Sequence, residues 1–282
     1  MDFGIGIATS GDSWRLAERA EELGFSHAWF FDTQMITADC FVAMGAAAMK
    51  TSRIRLGTGV LVPSNRIAAV TANALATLNA LAPGRIDFGV GTGFSARRSM
   101  GLGAMKLAEL EEYIRVVQGL LNNDTVETEI EGTHRKIRFL NPEVGLINTR
   151  DAVRLHVSAY GPRSQALTAR LGAGWKCFIS DVPGGLAALA SMQASWRDAG
   201  RTTAISMPPP GFADACSNPA NPPTARGRWR RQARERQCCC TVPPTSTWRA
   251  GRTPRRCRRR SPMRSPATSP WPAASSRATP AT

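Results

Sequence analysis

Apolar and polar positions along the first 200 residues follow two rhythms. Short apolar runs closed by glycine or a polar residue predict buried strands. Longer stretches with an apolar residue every three or four positions predict amphipathic helices. Phe3 to Ala8 reads as the first strand. A helix capped by Asp12 or Ser13 follows, with Leu16, Ala20 and Leu23 as its apolar face and Gly24 as its stop. His27 to Phe31 is an unbroken apolar run ending at Asp32, which predicts a second strand, and Phe41 to Met49 a small helix. Ile54 to Leu56 opens a third strand that runs through Gly57-Thr58-Gly59 into Val60-Leu61-Val62. The next helix is predicted to bury Val70, Ala74, Leu78 and Leu81 before Pro83-Gly84. Arg85 to Val90 is the fourth strand, ending in Gly91-Thr92-Gly93, and Leu107, Leu110, Ile114, Val117 and Leu121 mark one face of a long helix. An insertion with strands over Val126 to Ile130 and Ile137 to Leu140 predicts a small hairpin around Gly132. Leu155 to Ser158 is the fifth strand of the main series, Ser164 to Leu171 a helix, Trp175 to Ile179 the sixth strand, and Leu186, Leu189, Gln193 and Trp196 trace a last helix.

Strictly alternating strand and helix, with near-continuous apolar strands, predicts a parallel sheet covered by helices. An open doubly-wound sheet and a closed (β/α)8 barrel share this pattern, which does not separate them. Six units fit in about 200 residues where a whole barrel takes about 250, so a barrel here is expected to be incomplete after strand six.

Composition divides the chain. Its formal charge of +15 is an average of two materials. Residues 1–200 hold 20 basic and 19 acidic side chains, whereas residues 201–282 hold 16 arginines, no lysine and only Asp214 and Glu235 as acids. The latter segment has no leucine and carries 14 of the 19 prolines and five of the seven cysteines. So little apolar surface does not offset the entropy of ordering the chain. A barrel domain over 1–205 and a disordered basic tail over 206–282 are expected. The tail's vocabulary of Arg, Pro, Ala, Ser, Thr, Cys and Trp is that of GC-rich codons read out of frame, and a frameshift product is the expectation. No signal peptide or membrane span is read from the sequence, and Cys40 and Cys177, the cysteines of the first 200 residues, suit a reducing cytoplasm.

Four segments in order carry a resemblance: Leu23-Gly24-Phe25 leading to Trp29-Phe30-Phe31-Asp32; Arg55 to Val60; Ala76 to Asn79 with Pro83 to Gly93; and Val157 to Arg163. Together they resemble the bacterial luciferase-like superfamily over residues 1–200. Gly57 to Val60 and Pro83 to Gly93 look closest to its methylene-tetrahydromethanopterin reductase type. The resemblance implies a (β/α)8 TIM barrel and an oxidoreductase using reduced FMN or coenzyme F420, between which the sequence does not choose. One chemistry is monooxygenation with reduced FMN and dioxygen; the other is F420-dependent hydride transfer to an organic substrate. A small organic substrate, a separate flavin or F420 reductase and a homodimer are the partners it implies. From other classes, a nucleic-acid-binding protein acting through the tail and a non-catalytic flavin-binding relative stay open.

The site residues follow from the same segments. In the family the third strand carries a bulge with a non-prolyl cis peptide beneath the cofactor ring, and the resemblance puts it at Gly59–Val60. Thr92 and Gly93 would flank the ring, where glycine lets backbone approach a flat ring system; an unliganded tight turn is the plain alternative. Tyr160, Gly161, Pro162, Arg163 and Ser164 precede a helix, and free backbone N–H groups with an arginine and a hydroxyl make an anion site suited to a cofactor phosphate. Plain capping by Ser164 is the competing reading. Asp32, ending a strand at the face where barrel chemistry sits, is the candidate catalytic acid or base, with a salt bridge or helix cap equally open. Phe94 stands where several F420-dependent relatives carry an acid, leaving an apolar wall to the substrate pocket, and either Arg97 or Arg98 could reach an anionic group, with solvated arginines the plain alternative. No metal site is read from the histidines, which share no ligand spacing.

Overall fold

A computed structural model describes residues 3–201; the basic segment expected to be disordered, 206–282, lies outside the described residues. Among the described residues there are eight strands: β1 (Gly4–Ile7), β2 (His27–Phe30), β3 (Arg55–Thr58), β4 (Ile86–Val90), β5 (Val126–Ile130), β6 (Thr133–Ile137), β7 (Arg154–Ser158) and β8 (Gly174–Lys176). The helices are α1 (Ser13–Glu22), α2 (Cys40–Ala48), α3 (Ala68–Leu81), α4 (Phe94–Arg98), α5 (Leu107–Leu121), α6 (Pro162–Arg170) and α7 (Val182–Asp198). Six strands form one parallel sheet in the order β1-β2-β3-β4-β7-β8. That order decides between the two architectures. A doubly-wound sheet reverses direction at a switch point, whereas here each strand adds beside the last and the sheet curls as six staves of a (β/α) barrel.

The strands separate two interiors. Ala28, Phe30, Leu56, Ile86, Phe88, Val90, Leu155 and Val157 point outward into the main core beneath the helices. The intervening residues His27, Trp29, Arg55, Gly57, Asp87, Gly89, His156 and Lys176 alternate with them and so face the barrel lumen. Helix packing explains where the pattern reading erred. In α1 the buried face is Ser13, Ala17 and Ala20, while Leu16 and Leu23 stay about half exposed. In α3 it is Thr71, Ala72, Leu75, Ala76, Leu78 and Asn79, with Val70 and Leu81 outside. Alanine allows close approach of helix to sheet, and counting only large apolar residues picks a neighbouring face. In α7, Leu186 is likewise exposed and Met192 and Trp196 are buried against Ala169 and Trp175. The face expected for α5 is observed, extended by Val116 and Leu120, although Leu107 is only partly buried.

The insertion is a hairpin of β5 and β6, joined by Glu131 and Gly132, both at positive φ. Two such residues match the right-handed twist of the paired strands. The second strand therefore ends at Ile137 instead of starting there. The sixth barrel strand, β8, covers Gly174–Lys176, starting one residue and ending three residues before the Trp175 to Ile179 run that its apolar pattern suggested. No helix among the described residues is long and apolar enough to cross a membrane.

One ion pair ties the lumen together. Asp87 is fully buried and receives Arg55 Nε at 2.9 Å and Arg55 Nη2 at 2.7 Å. Arg55 also donates to the carbonyls of Gly84 and Ile86, which locks the start of β4 to β3. Burial pushes the Asp87 carboxyl upward, but His156 and Arg55 outweigh it and hold it at about 2.

Two outcomes are expected. Asp87→Ala leaves Arg55 buried without its counter-ion and should lower the free energy of urea unfolding by about 3–5 kcal/mol. Because the folded pKa lies below the ordinary 3.8, the wild-type contribution is complete above that value and should vanish as pH falls through about 2, a loss the Ala variant lacks. Separately, a Cβ on Gly57 would fall 2.2 Å from Trp29 Cζ3, so Gly57→Ala should cost about 1–3 kcal/mol in the same measurement by overpacking a rigid ring.

Candidate functional site

The C-terminal ends of the strands carry the predicted ring-binding segments. After β3 the chain does not leave the sheet. Gly59 N–H donates to Phe30 O at 2.7 Å, Leu61 N–H to Gly89 O at 2.7 Å, and Gly91 N–H to Leu61 O at 3.1 Å. Between these bonds the Gly59–Val60 peptide is cis, at the position named from the sequence. Val60 is thereby brought beside Gly91, where a Cβ would meet Val60 Cγ2 at 2.9 Å and Ser158 Cβ at 3.1 Å. Gly93 has φ +77°, and a Cβ there would meet Val62 Cγ1 at 2.6 Å. Val60, Gly91 and Ser158 thus lie in a row at the ends of three neighbouring strands. Ser158 was not singled out beforehand, although it alternates with Val157 at a strand end.

Asp32 is almost fully buried, and its carboxylate is already engaged. Val62 N–H donates to it at 3.0 Å, Arg66 Nη1 at 3.0 and 3.1 Å to its two oxygens, and Asn65 Nδ2 at 3.4 Å. Arg66 reaches on to Asp39 at 2.5 Å. Burial works to raise the Asp39 carboxyl, but Arg66 and the N–H groups of Val42 and Phe41 hold it below its ordinary value. Asn65 Nδ2 also donates to Gln34 Oε1, and Gln34 Nε2 to Ala96 O, both at 2.7 Å. Asp32 therefore fixes the loops after β2 and β3 as a unit, the ion-pair reading of this residue. It pins Val62, two residues beyond the cis peptide.

The substrate-side candidates lie on α4. Phe94 is 61% exposed, and the Arg98 guanidinium lies 3.8 Å over its ring. Arg97 is not free: its Nε donates to Gly103 O at 2.5 Å, tying α4 to the following loop. Of the predicted anion site, Ser164 caps its own helix. Its hydroxyl donates to Gly161 O at 2.8 Å and accepts from Gly161 N–H at 3.2 Å. Pro162 opens α6 and has no N–H to donate, and Arg163 is exposed. Tyr160 OH accepts from Phe178 N–H at 3.2 Å, linking this loop to the one after β8.

Beneath the row lies a group that sequence reading missed. Trp29 fills the lumen, stacked on His27 with centroids 5.6 Å apart and edge-on to His156 at 5.0 Å. Both imidazoles lie 3.7 Å from Asp87, so two of the three histidines do converge. Burial, despite Asp87, lowers the pKa of His156 and favours its neutral form. Lys176 Nζ sits 2.8 Å from the Trp29 ring centroid, and burial pulls its pKa far down against Asp87. Trp29 Nε1 and His156 Nε2 are buried without a hydrogen-bond partner among the described residues. The signal was available: His27-x-Trp29, Arg55-x-Gly57, Asp87-x-Gly89-x-Gly91, His156-x-Ser158 and Gly174-x-Lys176 share one period-two face.

Comparison with known proteins agrees with this architecture. The chain is 38% identical over 144 residues to an F420-dependent glucose-6-phosphate dehydrogenase of Beutenbergia cavernae, covering 48% of this chain and 40% of that protein. It is 29% identical over 179 residues to a 5,10-methylenetetrahydromethanopterin reductase of Methanolobus tindarius, covering 62% of this chain and 53% of the relative. The chain spans about half the length of the curated relatives it matches. Among solved structures it is similar to the monooxygenase RslO1 of Streptomyces bottropensis (TM-score 0.61, 26% identity, covering 72% of this chain and 68% of that one). It also shares the fold of a coenzyme F420-dependent tetrahydromethanopterin reductase of Methanopyrus kandleri (TM-score 0.58, 22% identity, covering 71% and 62%). The family described as luciferase-like monooxygenase matches residues 8–215, and the chain belongs to it.

Proposed function

We propose that this chain is an oxidoreductase that holds FMN or coenzyme F420 at the C-terminal mouth of the barrel. The observation that carries the reading is the row of Val60, Gly91 and Ser158, closed so tightly that a Cβ at Gly91 has no room. Backbone at this density fits a planar ring and excludes water from one of its faces. Val60 and Gly91 would support the ring, with Thr92 and Gly93 at its flank. The open N–H groups at the start of α6 and the exposed Arg163 would take a cofactor phosphate. Such a cofactor, when bound, supplies hydride transfer or oxygen chemistry, and the protein contributes orientation, shielding and charge.

Between the two cofactors, F420 with hydride transfer to an organic substrate is the reading the curated relatives favour, since those named above are F420-dependent or reduce a methanopterin. The likeness to RslO1 supports the second reading, monooxygenation with reduced FMN. Asp32 acts in either case through the loops it clamps. Phe94 with Arg98 lies on α4, directly after the ring-flanking Gly93, and gives that rim an apolar ring capped by a cation.

The test is equilibrium titration of the full chain with FMN and with F420, followed by fluorescence. One of the two is expected to bind in the micromolar range or tighter, and absence of binding by both would refute the reading. Gly91→Val should weaken binding by more than tenfold because its side chain occupies the row. Arg163→Ala should weaken it by about tenfold, equivalent to ~1.4 kcal/mol, with no change in melting temperature, and it should leave binding of riboflavin, which lacks the phosphate, unchanged.

A further inference from the structure

Lys176 ends β8 beside Ser158, its register partner on β7, and so reaches the level of the row from below. Glycine at 89 leaves room first for Thr58 O, 2.0 Å from where a Cβ would stand, and also for Lys176 Cε at 3.1 Å. Its ammonium rests on the face of Trp29. The charged and titratable groups around it are Asp87 from β4, Arg55 from β3, His27 from β2 and His156 from β7. Asp87 directs its ion pairs to Arg55 and the two imidazoles, and no carboxylate lies within ion-pair distance of Lys176 among the described residues. Arg55 is the permanent cation matched to Asp87, and Lys176 is a buried amine whose charged form is disfavoured until an anion arrives beside it. A desolvated cation in that position has its strongest interaction with an anion that arrives at the mouth.

We infer that Lys176 is a positioning residue that favours the reduced, negatively charged form of a cofactor ring held on the Val60–Gly91–Ser158 row. This rests on the reading above that the row holds an FMN or F420 ring. Uptake of two electrons and one proton by a neutral FMN ring would leave one more negative charge on it than the oxidised ring carries. Lys176 forms no covalent bond and transfers nothing; it supplies the counter-charge that the oxidised ring does not call for. Asp87 offsets it only in part, because that carboxylate makes its direct contacts with Arg55. Trp29 keeps the ammonium in place by its ring face, a contact worth more where water is excluded.

The experiment measures dissociation constants of the oxidised and the reduced cofactor, and the potential of the bound cofactor, for the full chain, Lys176→Met and Lys176→Arg. The wild type is expected to bind the reduced form at least tenfold more tightly than the oxidised form, which places its potential about 30 mV above that of the free cofactor. Lys176→Met should abolish this preference, and Lys176→Arg should keep most of it. An unchanged ratio in Lys176→Met, or a wild-type ratio near one, would overturn the inference while leaving cofactor binding intact. If the wild type binds neither cofactor in either form, the proposed function fails and the inference with it. Should Lys176→Met not fold, the wild-type potential against that of the free cofactor decides alone.

Discussion

Asp87 carries its charge in a lumen that gives it no contact with water, and the inside of the barrel is arranged around that fact. An isolated carboxylate there would be too costly to keep ionised. Arg55 meets it with two nitrogens, and His27 and His156 stand at 3.7 Å on either side. The same arginine binds the carbonyls of Gly84 and Ile86, so the electrostatic requirement of one residue fixes the register of two strands. Trp29 then closes over the group. Its bulk is accommodated because Gly57 and Gly59 have no side chains on the lumen face.

What sits above Trp29 follows from how little space is left. Gly89 yields to Thr58 O and to Lys176, and Gly91 to Val60 and Ser158. The lower layer is thus polar and filled, and the upper layer is thin and flat. A ring placed there meets backbone on one side and a lysine from below. The division gives the barrel a rigid base built by charge pairing and a mouth whose shape is set by glycine.

The loops around the mouth are held by a second buried carboxylate. Asp32 collects Val62 N–H, Asn65 and Arg66, and Gln34 extends the network to α4. Its position at the end of a strand suggested an acid or base. In the structure each of its oxygens is bonded to the Arg66 guanidinium. Arg97 reads as an anion contact in sequence, and its Nε is engaged by Gly103 O. In both cases the residue type and location were legible, and the role depended on who stood opposite.

The family resemblance supplied the cis peptide position, and the order of strands and helices and the glycine-rich strand ends were determined by local sequence. Such features depend on neighbours within a few residues, and the period of apolar positions records them directly. The buried faces of α1 and α3 were misjudged because the core selects alanine where helix and sheet approach closely, and only packing reveals that approach. The lumen was written in the sequence as polar residues and glycines at every second position, but scattered over six strands with no sign of their convergence. Closed or open sheet, the meeting of His27, Asp87 and His156, and the place of Lys176 over Trp29 were decided by the tertiary structure alone. Each depends on the lateral order and stagger of strands far apart in the chain, which no local pattern encodes.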